Sequence, residues 1–226
     1  VPWTATNTEG RPAPAALAVD AVVLRVADRR LEVLALRTED GRRALPGGLL
    51  GPRDDPAEAV RRVLAEKTGL DGIYLEQLAA FADPDRDPRG WIPSIAHLAL
   101  VPADTTPRDP AARWVTARGR HRWAHDHRDM LALAVDRVEG KLWWSNVAVG
   151  LLPAAFTLSQ ARAVYEGVAD TGYDGATFAR DLKATGLVEP TGERRSDGPG
   201  RPAALYRFVT AAPAWGAGRR KRVSPA

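Results

Sequence analysis

The chain contains no cysteine, which excludes disulfides and thiolate-bound metal centres and leaves no sign of an oxidising compartment. Nor does it contain an apolar run of about 18 residues, the length a membrane helix needs. Its opening, "VPWTATNTEGRPAPAALAVD", has no basic segment followed by an apolar stretch, so no export signal is expected. Cytoplasmic location with no membrane partner is the expectation. There is no internal repeat. What is present is 45% hydrophobic residues over 226 positions, enough for one sizeable core and a second small one.

The formal charge of +4 becomes informative once it is divided along the chain. Residues 1–150 carry 21 Lys and Arg against 21 Asp and Glu, and residues 151–226 carry 11 against 7. A neutral domain joined to one that meets a polyanion has this asymmetry.

The pattern divides the chain into a flexible arm at 1–15, a domain at 16–150, a small module at 151–210 and a disordered basic tail at 211–226. "LAVDAVVLRVADRRLEVLALRT" reads as two Val- and Leu-rich strands joined by a turn near "ADRR", a hairpin. "ALPGGLLGPRDD" is a Pro- and Gly-marked loop leading to a helix that starts near Asp55 or Pro56 and stops at Gly69, since Pro suits the first turn and Gly the left-handed cap. "IYLEQLAAFADP" and "WIPSIAHLALVPA" are strands around the polar loop "DPDRDPRG". "HDHRDMLALAVDRVEGKL" has helical spacing over about four turns, with Asp126 as its cap. Of His121, His125 and His127, the pair His125-x-His127 is not at the i, i+4 spacing that puts two imidazoles on one helical face, and no further ligand pattern follows, so no metal is expected there.

After "LLPAAFT", with an N-cap at Thr157 or Ser159, come a helix, the turn "TGY", a helix from about Asp174 to Thr185, the strand "LVEPTG", the tip "ERRSDGPGRPA" and the strand "ALYRFV". Helix, turn, helix and hairpin is the plan of a winged helix-turn-helix. Its second helix offers Thr177, Arg180 and Lys183 on one face, with Phe178 and Leu182 turned inward. Arg180 suits bidentate contact with guanine and Lys183 a phosphate. The helix end is expected to meet phosphate as well. Arg194, Arg195 and Arg201 lie in the tip, and Gly200-Arg201-Pro202 suits a narrow minor groove. Gln160 and Arg162 on the first helix are further backbone contacts.

"GLLGPRDDPAEAVRRVLAEKTGL", Gly48 to Leu70, resembles the Nudix box, G-x(5)-E-x(7)-R-E-U-x-E-E-x-G-U with U aliphatic. Gly48, Arg62, Leu64, Glu66, Gly69 and Leu70 match; Asp54, Val63 and Lys67 stand where the box has Glu. The resemblance implies an α/β fold, a Nudix α/β/α sandwich with a mixed sheet. In that family the glutamates hold magnesium ions for pyrophosphate hydrolysis. Positions 63, 66 and 67 share one helical face, and here it carries Val, Glu and Lys, a poor donor set for a hard cation. No catalytic residue and no metal site is expected, although Asp54, Asp55 and Glu58 are other carboxylates nearby.

"FADPDRDPRGWIPSIAHLAL" is similar to the loop and strand of ADP-ribose-handling Nudix domains and their non-catalytic relatives. Arg86 and Arg89 would meet phosphate, and Asp87 would fix an Arg or accept a hydroxyl. Arg37, Gly48, Arg62, Glu66 and Lys67 complete the expected effector-binding set, with Trp91 and Trp123 as candidate base-stacking residues. Together with residues 156–208, this resembles the NrtR-type, Nudix-related transcriptional regulators. The resemblance implies a repressor acting as a homodimer on double-stranded operator DNA, no cofactor, and an ADP-ribose-like nucleotide of NAD metabolism as effector. The alternative is a Nudix pyrophosphatase acting on ADP-ribose or a related nucleoside diphosphate.

Overall fold

A computed structural model describes residues 16–70, 73–196 and 202–210. The arm, the tail and Arg201 lie outside these residues. The chain separates into two compact units, one of residues up to 24 with 33–99 and 106–134, the other of 25–32, 100–105 and 135 onward.

Strands β1 (Ala18–Ala27) and β2 (Arg30–Arg37) form the expected hairpin. Its two turn residues, Asp28 and Arg29, have φ of 47° and 58°, the left-handed pair that matches the twist of the strands it joins. With β3 (Arg43–Ala44), β4 (Gly47–Leu49), β5 (Tyr74–Phe81), β6 (Ser94–Leu100) and β7 (Ala112–Thr116) they make a seven-stranded sheet ordered β3-β2-β1-β6-β5. β4 pairs with the start of β1, and β7 with β2. Sheet and helices together give the α/β architecture that the resemblance implies.

Helix α1 (Pro56–Thr68) begins where its caps predict. The Asp55 carboxylate accepts from the backbone N–H of Ala57 and Glu58, and Gly69 closes it at φ 70°. Ala59, Val60, Val63 and Leu64 form its buried stripe, the 3.6-residue periodicity read from the sequence. Helix α2 (His127–Lys141) follows β7. Asp126 is not spent as its side-chain cap: its carboxylate is taken by Arg86.

In the second unit a short 3-10 turn, Val147–Gly150, precedes β8 (Phe156–Thr157) and helix α3 (Leu158–Ala169). Thr157 and Gln160 form a reciprocal capping box at its start, so Gln160 is engaged in the fold. Helix α4 (Gly175–Ala184) packs Phe178 and Leu182 inward. Around Phe178 stand Trp143, Tyr165 and Tyr173, with ring centroids 5.6, 5.2 and 5.9 Å away. β9 (Val188–Arg195) and β10 (Ala203–Phe208) complete a three-stranded sheet ordered β8-β10-β9. β8 was not foreseen, because two residues give no periodicity.

Candidate functional site

The start of β1, the end of β2, the β3–β4 segment, the last turn of α1 and the loop after β5 enclose a cleft of about 340 Å³. Arg37, Gly48, Lys67, Arg86, Asp87 and Arg89 line it, bringing together six of the eight effector residues expected from sequence. Arg62 and Glu66 do not line it. The Arg62 guanidinium is turned to Asp54, at 2.5 Å, and Glu66 lies on the exposed face of α1.

Gly47 and Gly48 set the shape of the cleft. A Cβ at 47 would fall 1.9 Å from Asp20 Oδ1, so only glycine lets β4 lie this close to β1. A Cβ at 48 would meet Val63 Cγ2 at 3.0 Å. Val63 therefore fills space beneath the strand, where the box has a carboxylate.

Sequence reasoning missed the floor of the cleft. Asp20 is buried and accepts from the Ser94 hydroxyl at 2.6 Å. His127 Nδ1 accepts from the Leu45 N–H at 2.9 Å, which places the ring proton on Nε2, 3.5 Å from Asp20 Oδ1. Burial raises the Asp20 carboxyl, but the hydrogen bonds from His127 and Ser94 and the Arg86 charge outweigh it and hold it below its ordinary range. The signal available was a lone acid inside the apolar run "LAVDAVVL", since a buried carboxylate needs partners.

Arg86 is not the free phosphate fork expected of it. Its side chain is 3% exposed; Nε and Nη2 donate to both oxygens of Asp126, Nη1 donates to the Ile92 carbonyl, and Asp20 lies 3.6 Å away. Arg89 donates from Nε and Nη2 to the buried Asp87 carboxylate while its own side chain stays largely exposed. Asp87 thus fixes an Arg, as one of its expected roles required. Lys67 Nζ donates to the Gly47 carbonyl. Of the cleft's Lys and Arg side chains, that of Arg37 alone makes no hydrogen bond or ion pair among the described residues.

The hydrogen bond from Arg89 holds the Asp87 carboxyl down to about 2, against an ordinary value of 3.8. The folded value lies below the unfolded one, so the pair stabilises fully above about pH 4, and its contribution is lost as the pH falls through about 2. In Arg89→Ala the Asp87 carboxyl, followed by NMR, is expected to titrate at higher pH than in the parent chain. An unchanged midpoint would remove Arg89 as the cause.

Trp91 donates its indole N–H to the Ala82 carbonyl and is partly exposed. Trp123 stands edge-on to His121 with centroids 6.3 Å apart. Neither lines the cleft. His125 Nδ1 lies 3.2 Å from the Arg86 carbonyl oxygen. Among the described residues no group of three or more His, Asp or Glu is arranged to hold a metal ion.

The second candidate surface lies on the winged helix. Arg180 and Lys183 are exposed on α4 and Thr177 is half-exposed. Arg180 Nε donates to Asp181 Oδ1 at 3.0 Å, and Lys183 Nζ stands 5.8 Å over the Tyr206 ring. The N-terminus of α4 is capped by Asp174, which accepts from the Thr177 N–H, so a carboxylate already occupies the position expected to meet phosphate. Arg162 is directed along α3, its Nε 3.6 Å from Glu166 Oε1.

Arg194 and Arg195 belong to β9 and not to the tip. Gly192, at φ 86°, and a bulge opposite Leu205 absorb the extra residues, so pairing resumes with Arg194 opposite Ala204 and Arg195 opposite Ala203. Arg194 Nη1 also donates to the Pro202 carbonyl. β9 is a sheet edge, which is where its Pro190 can be accommodated.

Residues 14–134 match the NUDIX domain, and residues 148–208 match the NrtR DNA-binding winged helix domain. The ADPR responsive transcriptional repressor NtrR of Acinetobacter baylyi is 31% identical over 205 residues, covering 85% of this chain and 82% of that protein. Shewanella oneidensis NrtR complexed with a 27mer DNA superposes with a TM-score of 0.72 at 29% identity, over 85% of this chain and 93% of that one. The NUDIX domain of the same Shewanella protein, complexed with ADP ribose, superposes with a TM-score of 0.52 at 27% identity, over 58% and 93%.

Proposed function

The chain belongs to the Nudix family and, through its winged helix, to the NrtR type of regulator, and on that premise we propose that it is an ADP-ribose-responsive transcriptional repressor. The observation that carries this reading is the likeness to a repressor across both domains in one alignment. A Nudix fold alone hosts many reactions, and a winged helix alone many operators.

In this reading the cleft beside Gly48 takes the nucleotide, with Arg37, Lys67, Arg86, Asp87 and Arg89 around it. The Arg37 side chain has no partner among the described residues, which leaves its donors for a phosphate. α4 enters a major groove with Thr177, Arg180 and Lys183, while Arg194, Arg195 and Arg201 follow the adjacent backbone and minor groove. The protein acts in the cytoplasm as a homodimer on a palindromic operator. Val63 and Lys67 remove the carboxylates that hydrolysis needs, so the nucleotide is sensed and not consumed. It needs no cofactor.

Fluorescence anisotropy of labelled DNA from upstream of the protein's own gene tests this. Tight, salt-dependent binding that weakens when ADP-ribose is added is the expected result. An unchanged dissociation constant with ADP-ribose would remove that effector. Release of AMP and ribose 5-phosphate at catalytic rates, in the same samples with magnesium, would make the chain a pyrophosphatase instead.

A further inference from the structure

A divalent ion in a Nudix cleft is held by oxygens that converge from one face of the box helix. In this chain those oxygens are missing or spoken for. Val63 is buried against Gly48 and offers none. Asp54 is held by Arg62 at 2.5 Å. The Gly47 carbonyl accepts from Lys67, whose chain lies in the cleft wall. Glu66 is the one carboxylate left on the 63, 66, 67 face, beside an ammonium. The donor set does not fit magnesium.

From the same residues we infer that Lys67 is a built-in cation that takes over the charge of the metal, so that the chain binds a nucleoside diphosphate without a divalent ion. This rests on the effector reading above. An ammonium has three donors, and the Gly47 carbonyl takes one. The remaining two are available to phosphate oxygens. The Gly47 bond also fixes the charge: β4 is paired to β1 with Gly47 opposite Asp20, so the carbonyl that holds Lys67 is anchored in the sheet. Arg86 and Arg89 are ion-paired to Asp126 and Asp87, which leaves Lys67 and Arg37 as the cleft-lining cations with no carboxylate paired to them among the described residues.

Isothermal titration calorimetry of the full chain with ADP-ribose, in chelator and in magnesium, tests the inference. The parent chain is expected to bind equally well in both. Lys67→Gln should bind about tenfold weaker or worse in both, as loss of a charged hydrogen bond implies. Lys67→Glu sets two carboxylates side by side and should bind better in magnesium than in chelator. Lys67 is exposed on its helix, and circular dichroism confirms that the variants fold. Parent binding that requires magnesium overturns the inference and leaves the effector reading standing, as does a Lys67→Gln chain that binds like the parent. Binding in neither buffer by a chain that still binds its DNA overturns the effector reading and the inference with it.

Discussion

Replacing Arg86 with Met is expected to destabilise the first unit by about 3–5 kcal/mol, the loss that follows when one partner of a buried ion pair is removed. The guanidinium sits between Asp126, the Ile92 carbonyl and Asp20. Methionine fills much of its volume, so the loss reports charge and hydrogen bonding more than a cavity. Asp126 and Asp20 would be left in a low-dielectric site without their counter-charge. Hydrogen exchange resolves the effect, because the units need not unfold together: protection should fall in β1 and around residues 83–92 and stay unchanged in α3 and α4. A companion Arg86→Met/Asp126→Asn chain should recover part of the loss, since the neutral amide no longer needs a cation. A drop below about 1 kcal/mol, the value of a solvated surface pair, would contradict the buried geometry.

Replacing Phe178 with Ala is expected to cost about 3–5 kcal/mol in the second unit, the usual penalty for deleting a buried aromatic side chain. Phe178 is 2% exposed and contacts Trp143, Tyr165 and Tyr173 edge-on or tilted. α4 has ten residues, fewer than the roughly 12–15 at which an isolated helix becomes even marginally stable in water. It is helical because Phe178 and Leu182 dock it. Urea denaturation followed by hydrogen exchange in α4 measures the loss, and DNA affinity should fall with it although residue 178 is buried away from solvent. Phe178→Leu keeps most of the apolar volume and should retain DNA binding. Full stability in Phe178→Ala would mean that the aromatic cluster does not hold the helix.

Much of this was legible before any coordinates. The limits of α1 could be read because Asp55, Pro56 and Gly69 act through local chemistry. The same holds for α4 between Asp174 and Thr185. The loop "DPDRDPRG" was misread for the opposite reason. Nothing within a few residues of Arg86 says that it is buried; its partners lie 40 residues ahead, at Asp126, and 66 behind, at Asp20. Charged loops look alike until long-range packing separates the exposed Arg89 from the enclosed Arg86. Arg194 and Arg195 fall in a tip when the strand "LVEPTG" is ended at Gly192 and the polar run after it is read as a turn, whereas a bulge with positive φ at Gly192 continues the strand. Glycine marks the conformation and not its purpose.

The order β8-β10-β9 has a consequence for the chain while it is being made. β10, residues 203–208, is the middle strand and the partner of both others, yet it is the last of the three to leave the ribosome. Synthesis runs at about 5–20 residues per second with domains folding from the N-terminus. The seven-stranded sheet, complete in sequence at Thr116, can therefore close well before the small sheet has its centre. Until Phe208 emerges, β8 and β9 have nothing to pair with. A nascent chain at that stage has the cleft beside Gly48 assembled while the small sheet still lacks its central strand.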